Sequence, residues 1–221
     1  MATNHWATEL FGPKILTKPK TTGLPTESRF QGNKKKLVAL YFSASWCPPC
    51  KGFSPMLVDF YNSCKDDLDI VFVSSDRDEK SFSDYYQKLM PFLAVMPAFN
   101  GEEARKRHMK LAETFQIKGI PTLIVLDAKT GNFITDNAQM EVMKATSEDS
   151  KKALIKSWLE KEAVPIDQAE FGAGSSQSPL MKVFMFFASR PVYIFGLYYI
   201  IKQAFKYLEE LGKDELEGGE L

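Results

Sequence analysis

The stretch Leu37-Val38-Ala39-Leu40-Tyr41-Phe42-Ser43-Ala44-Ser45-Trp46-Cys47-Pro48-Pro49-Cys50 decides the fold. Its first seven residues are apolar, aromatic or β-branched in a run too short for a helix, which predicts a buried strand. Beyond it, Cys50, Phe53, Leu57, Tyr61 and Cys64 recur at helical spacing and lay one apolar stripe along a helix. Cys47 therefore falls at a strand-to-helix junction, at the N-terminus of that helix.

The position matters because the thiolate, not the thiol, attacks disulfides, and unpaired N–H groups together with the helix dipole stabilise negative charge there. Cys47 is the expected nucleophile. Cys50, one turn into the helix and directed inward, resolves the mixed disulfide by attacking the sulfur of Cys47. Pro48 and Pro49 suit the first turn of a helix, yet they remove two backbone donors that could have reached the thiolate. The expectation is a moderately lowered thiol pKa and a reductant, not a strong oxidant.

Other uses of the cysteines fit less well. Zinc needs four ligands, and besides this pair the chain offers Cys64, His5 and His108 without a second pair at ligand spacing. Three cysteines suggest no disulfide framework, and Cys64 lies on the buried stripe as a small core residue. No metal and no other cofactor are expected.

The run from Tyr41 to Pro55 (YFSASWCPPCKGFSP) resembles the active-site segment of the nucleoredoxin and tryparedoxin branch of the thioredoxin superfamily. The similarity continues through Val73-Ser74-Ser75-Asp76-Arg77-Asp78-Glu79, Phe82, Tyr85-Tyr86 and Met90 to Val95. Glu103-Ala104-Arg105 and Ile117 to Leu126 extend it to roughly position 160. The resemblance implies an α/β fold: a thioredoxin-like three-layer α/β/α sandwich with a central mixed sheet and the dithiol at the end of a strand. It also implies a cis Ile120-Pro121 peptide against the active site, where the backbone of Ile120 would pair with an extended substrate segment. Trp46, Pro48, Pro49, Ile120 and Pro121 would then form the substrate groove. From the residues alone, Ile120-Pro121 before the strand Thr122 to Leu126 places only a turn, expected as an ordinary trans one.

Two departures from the pattern are informative. Thioredoxins place a buried aspartate six residues before the nucleophile, where this chain has Tyr41, so the proton path to Cys50 is unassigned. Tryparedoxins that draw electrons from trypanothione carry Trp then Asp-Glu where Ser75-Asp76-Arg77 stand, which moves the reading toward the nucleoredoxin side.

Working outward, residues 1–28 form an N-terminal extension partly joining the domain, with no apolar run that would read as a secretory signal. Residues 29–163 form the thioredoxin-like domain. Within it, 102–115 reads as a charged helix with Ala104, Leu111, Ala112 and Phe115 inward, and Arg105-Lys106-Arg107, His108 and Lys110 on its solvated side. Glu148 to Lys161 reads as the last helix, with Leu154, Ile155, Trp158 and Leu159 toward the sheet. Residues 164–179 read as a flexible linker, Gly- and Ser-rich at its end. Acidic and basic residues balance at 28 each, which gives no reason to propose nucleic acid as a partner.

Residues 180–206 form a hydrophobic segment, expected to be helical, and 207–221 an acidic tail. Val183 to Ile201 approaches the roughly 20 apolar residues that cross a bilayer, flanked by Lys182, Lys202 and Lys206. Arg190, at its centre, costs about 2.5 to 3.5 kcal/mol on insertion, nearly cancelling the apolar gain. A tail anchor holding the catalytic domain on the cytosolic face of an intracellular membrane is one expectation. A broken helix at an interface or on a partner, on a protein of the soluble cytoplasm or nucleus, is the other. Lys213-Asp214-Glu215-Leu216 lacks the free carboxyl terminus that a retention signal requires.

Together these features predict a protein-disulfide reductase acting on disulfide-containing proteins and recharged by an upstream dithiol. The alternatives are a redox-dependent adaptor in signalling and an electron donor to a peroxidase.

Overall fold

The computed structural model describes residues 6–18, 23–32 and 34–172. The segment expected at 180–206 and the tail at 207–221 lie outside the described residues. Among the described residues no helix is long and apolar enough to cross a membrane.

In chain order the elements are α1 (Trp6–Phe11), β1 (Lys14–Leu16), β2 (Leu24–Pro25), α2 (Thr26–Phe30), β3 (Leu37–Ser43), α3 (Pro48–Cys64), β4 (Leu68–Ser74) and α4 (Glu79–Leu89). There follow β5 (Leu93–Val95), α5 (Glu102–Thr114), β6 (Thr122–Asp127), β7 (Phe133–Thr135), α6 (Ala138–Lys144) and α7 (Glu148–Glu160). The seven strands form one mixed sheet in the order β2-β1-β5-β4-β3-β6-β7. β3, β4 and β5 run parallel, and β6, β7, β1 and β2 add antiparallel neighbours. This is the thioredoxin-like α/β architecture that the sequence predicts.

β3 reads as a continuous apolar run because both of its faces are covered. Leu37, Ala39 and Tyr41 point to one core, with Phe53, Leu57 and Phe60 of α3 and Trp158 of α7. Val38, Leu40 and Phe42 point to the other, with Phe11 of α1, Leu111 of α5 and Phe115. β4 and β6 split in the same way, with Ile70, Phe72, Leu123 and Val125 on the first face and Val71, Val73, Ile124 and Leu126 on the second.

The inward faces differ in detail from the periodic reading. On α3 Phe60 is fully buried, whereas Tyr61 is half-buried with its ring 5.3 Å from that of Phe92. On α7 Ile155 and Trp158 are buried but Leu159 is 40% exposed, because the indole of Trp158, held by Glu141 at 2.6 Å, already fills the contact with α3 and α6. Nor are Arg107 and His108 on a solvated face. α1 docks on α5, and the Arg107 guanidinium donates to the carbonyls of Glu9 and Leu10 at the C-terminal end of α1. Gly12 admits this approach: its φ is +87°, and a Cβ there would lie 2.6 Å from Arg107 Nε. His108 Nε2 is 2.9 Å from the carbonyl oxygen of Met96, and burial holds its pKa below the ordinary value.

The domain also extends at both ends. β1 and β2 supply one sheet edge, and the expected boundary at 28 falls inside α2. At the other end Val164 pairs with Phe133, and the ring of Phe171 packs 4.9 Å from that of Phe133 and 5.8 Å from that of Phe115. The chain thus stays on the domain through Gly172, past the expected linker start at 164. One half-buried aromatic side chain, packed on two others, outweighs the loop-forming composition around it.

Leu57, fully buried between α3 and the sheet, is a direct test of this packing. Leu57→Ala should lower the stability of the domain by about 2–5 kcal/mol, read as a shift in the urea midpoint at unchanged slope.

Candidate active site

The site is assembled by three chain segments that reach the same end of the sheet. β3 and β4 are parallel and in register at Ser43 and Ser74, so the loops that follow them leave side by side. β6 is antiparallel to β3 and pairs Thr122 with Phe42, so the loop that precedes it arrives at the same edge. Loops 44–47, 75–77 and 117–121 therefore meet beyond the carboxyl ends of the parallel strands, where open α/β sheets bind ligands.

Cys47 is the N-cap of α3. Its φ and ψ of −92° and 109° are extended, and the next two residues are the prolines of the first turn. The backbone N–H of Cys50 donates to Cys47 Sγ at 3.3 Å, and the N–H of Lys51 closes the first helical turn on the Cys47 carbonyl at 3.1 Å. Cys47 and Cys50 are joined as a disulfide with their Cα atoms 5.2 Å apart. Cys50 is wholly buried, while Cys47 keeps 5% exposure. The Ile120-Pro121 peptide is cis, and the Ile120 carbonyl oxygen lies 3.7 Å from Cys47 Sγ. Pro48 and Pro49 are exposed beside the sulfur, and Ile120 and Pro121 are half-buried opposite.

Trp46 is 53% exposed, with its indole N–H donating to the Ser75 carbonyl at 3.1 Å and the Arg77 guanidinium 5.9 Å from its ring centroid. Beneath it Asp76 is buried and acts as a brace. One carboxylate oxygen accepts from the backbone N–H of Ser45 at 2.8 Å and from its hydroxyl at 2.7 Å. The other oxygen accepts from the hydroxyl of Ser74 at 2.8 Å. These bonds tie the dithiol loop to the end of β4, and the sequence reading assigned them to none of these residues. The available signal was the Ser74-Ser75-Asp76 run closing the apolar stretch Ile70 to Val73.

Under Cys50 lies a closed group of hydroxyls. Ser54 Oγ is 2.8 Å from Tyr41 OH, 2.6 Å from Tyr85 OH and 2.9 Å from the carbonyl oxygen of Cys50, and Tyr85 OH is 3.2 Å from Ser43 Oγ. One assignment satisfies every proton: Ser54 donates to the Cys50 carbonyl, accepts from both tyrosines, and Ser43 donates to Tyr85. Burial pushes the Tyr41 phenol well above its ordinary value, so it stays neutral at physiological pH. The position six residues before Cys47 thus holds a neutral hydroxyl in a saturated network.

Cys64 sits apart at the far end of α3, buried and unbonded to another cysteine; burial, reinforced by the Glu148 charge, pushes its thiol up to about 11. Among the described residues no group of three or more His, Cys, Asp or Glu side chains is arranged to hold a metal ion.

Comparison with known proteins agrees with this geometry. A family model described as thioredoxin-like matches residues 34–133. Tryparedoxin from Trypanosoma brucei brucei is 43% identical over 110 residues, covering 49% of this chain and 72% of that protein. The chain belongs to the thioredoxin-like family. Mouse nucleoredoxin is 44% identical over 109 residues, which cover 48% of this chain but 23% of the nucleoredoxin. The chain therefore spans less than a quarter of that relative's length. Among solved structures, tryparedoxin II from C. fasciculata superposes with a TM-score of 0.53 at 36% identity, over 62% of this chain and 86% of that one. A second structure of tryparedoxin II, complexed with glutathionylspermidine, gives a TM-score of 0.51 at 38% identity, over 60% of this chain and 85% of that one. The protein is accordingly a thioredoxin-family oxidoreductase carrying a Cys47-Cys50 redox disulfide.

Two outcomes test this description. Tyr85→Phe strips Ser43 of its acceptor and Ser54 of a donor inside the core, and should cost about 1–3 kcal/mol of stability in chemical denaturation. In the reduced native protein Cys64 should resist iodoacetamide at about pH 8, where a thiol titrating three units higher is about one part in a thousand thiolate. It should react once the chain is unfolded.

Proposed function

We propose that the protein is a protein-disulfide reductase with Cys47 as nucleophile and Cys50 as resolving thiol. The observation that carries the reading is the sulfur of Cys47, set between the N–H of Cys50 at 3.3 Å and the carbonyl oxygen of Ile120 at 3.7 Å. The first group favours negative charge on that sulfur; the second marks where an extended substrate strand lies across it.

In the reduced protein the Cys47 thiolate attacks one sulfur of the substrate disulfide, forming a mixed disulfide and releasing the other substrate sulfur as a thiolate. Cys50 then attacks Cys47 Sγ, re-forming the Cys47-Cys50 disulfide and expelling the second substrate sulfur. Two electrons pass to the substrate, and both leaving sulfurs end as thiols. The saturated hydroxyl group under Cys50 contains no carboxylate, so the Cys50 proton goes to the departing substrate thiolate. Trp46, Pro48, Pro49 and Pro121 wall the groove and hold the substrate strand against Ile120. An upstream dithiol reverses these steps and restores the reduced protein.

We also propose that residues 183–201 attach the protein to a membrane, on their apolar length alone. The domain would face the cytosol. Alkaline carbonate extraction of membranes should leave the full chain in the pellet and a chain ending at Gly172 in the supernatant; full chain released by carbonate would contradict an anchor.

Turnover of a model protein disulfide, with a chemical dithiol recycling the enzyme, should vanish in Cys47→Ser. Cys50→Ser should trap substrates covalently through Cys47. Absence of turnover in folded, reducible protein would contradict the reductase reading and favour a redox-controlled adaptor.

A further inference from the structure

His108 is turned onto the sheet from α5. Leu111 and Phe115, three and seven positions further on, are buried in the same core as Val73 of β4 and Val95 of β5. The Nε2–H of His108 donates to the carbonyl oxygen of Met96 at 2.9 Å, and the ring is also hydrogen-bonded to the backbone of Ser74. Both bonds oppose the lowering of its pKa by burial, as carbonyl acceptors do.

The two bonds fall where the β4–β5 ladder stops. The strands pair at Val71 with Leu93 and at Phe72 with Ala94. The same offset sets Ser74, the last residue of β4, against Met96, the first residue beyond β5. The imidazole therefore joins the two strand ends and gives their backbone a partner that the ladder does not. Directly after Ser74 comes the loop that holds the dithiol loop. The Ser75 N–H donates to the Ser43 carbonyl at 2.9 Å, the Ser75 carbonyl accepts the Trp46 indole, and Asp76, itself held by the Ser74 hydroxyl, grips Ser45.

We infer that His108 is a positioning residue for disulfide reduction: by pinning the end of β4 to the end of β5 it holds the 75–77 loop on which Trp46 is set, and so fixes that wall of the substrate groove. The inference rests on the reductase reading and adds to it a residue of α5 that acts through the 75–77 loop. The sulfur of Cys47 is placed separately, by the first turn of α3 and the Cys50 N–H. Loss of the His108 bonds therefore weakens the hold on a protein substrate and leaves the intrinsic reactivity of Cys47 in place.

The test uses the full reduced chain, a model protein disulfide and a chemical dithiol for recycling. His108→Leu keeps apolar bulk but no donor, and should raise KM about five-fold, the weight of one net hydrogen bond, at nearly unchanged kcat. The rate at which iodoacetamide alkylates Cys47 should stay within about two-fold. His108→Gln, which restores a donor, should recover most of the loss. In proton–nitrogen correlation spectra the Trp46 indole N–H signal, identified with Trp46→Phe, should move upfield in His108→Leu as its bond to Ser75 loosens, while the signal of Trp158, held by Glu141, stays in place. His108→Asn, too short to join both strand ends, should behave as His108→Leu does and replaces it if that variant does not fold. An unchanged KM with an unmoved Trp46 signal in either folded variant would overturn the inference while leaving the reductase intact. So would equal losses in kcat and in the alkylation rate, which mark general damage to the domain. Absence of turnover in the unmodified chain would strike the reductase reading, and the Trp46 signal would still decide whether His108 holds the loop.

Discussion

The hydrogen bond from the Cys50 N–H to Cys47 Sγ is the contact toward which the rest of the domain is organised. It exists because a helix begins where β3 ends, and β3 is held in place by burial on both faces and by β4 and β6 on either side. If the β3 backbone shifted by one residue, the whole apolar set of the strand would change faces. The loop that makes the junction is fixed independently, by the Asp76 carboxylate gripping Ser45 from the end of β4. The sulfur is thus placed by packing and by polar anchors that do not themselves take part in the chemistry.

The environment of the pair separates the two sulfurs by access and by polarity. Cys47 keeps a small exposure beside two exposed prolines and under the Ile120 carbonyl, whereas Cys50 is wholly closed off in the core above a group of hydroxyls. Pro48 and Pro49 preset the first helical turn while contributing no N–H to it, so the stabilisation of a Cys47 thiolate falls mainly to Cys50 N–H and to the dipole of α3. The Tyr41-Ser54-Tyr85 group performs the structural part of what a buried charge would otherwise disturb: it fills the space behind Cys50 with every proton satisfied.

Most of this was legible in the sequence because strand and helix periodicities meet at Cys47, and because parallel strands covered on both faces leave unbroken apolar runs. The dithiol was readable from its local motif, and the cis Ile120-Pro121 turn only through the family resemblance. What local pattern could not supply were contacts between distant segments. Asp76 on Ser45, Arg107 on the end of α1, and Phe171 against Phe115 and Phe133 each join residues that are tens of positions apart. Arg107 and His108 read as solvated in a charged helix since nothing near them in sequence announces that α1 and the Met96 carbonyl will cover them. Helical spacing likewise favoured Tyr61 and Leu159 as core residues. The side chains that fill the space, Phe60 and Trp158, lie one position away.

The central claim is that helix geometry makes Cys47, and not Cys50, the attacking sulfur. Its most direct test is to treat the fully reduced native protein with less than one equivalent of iodoacetamide at about pH 7 and map the adduct by peptide mass spectrometry. The account predicts that the label appears first on Cys47, with Cys50 and Cys64 modified only after unfolding or much longer exposure. First labelling of Cys50, or equal labelling of the pair, would contradict it.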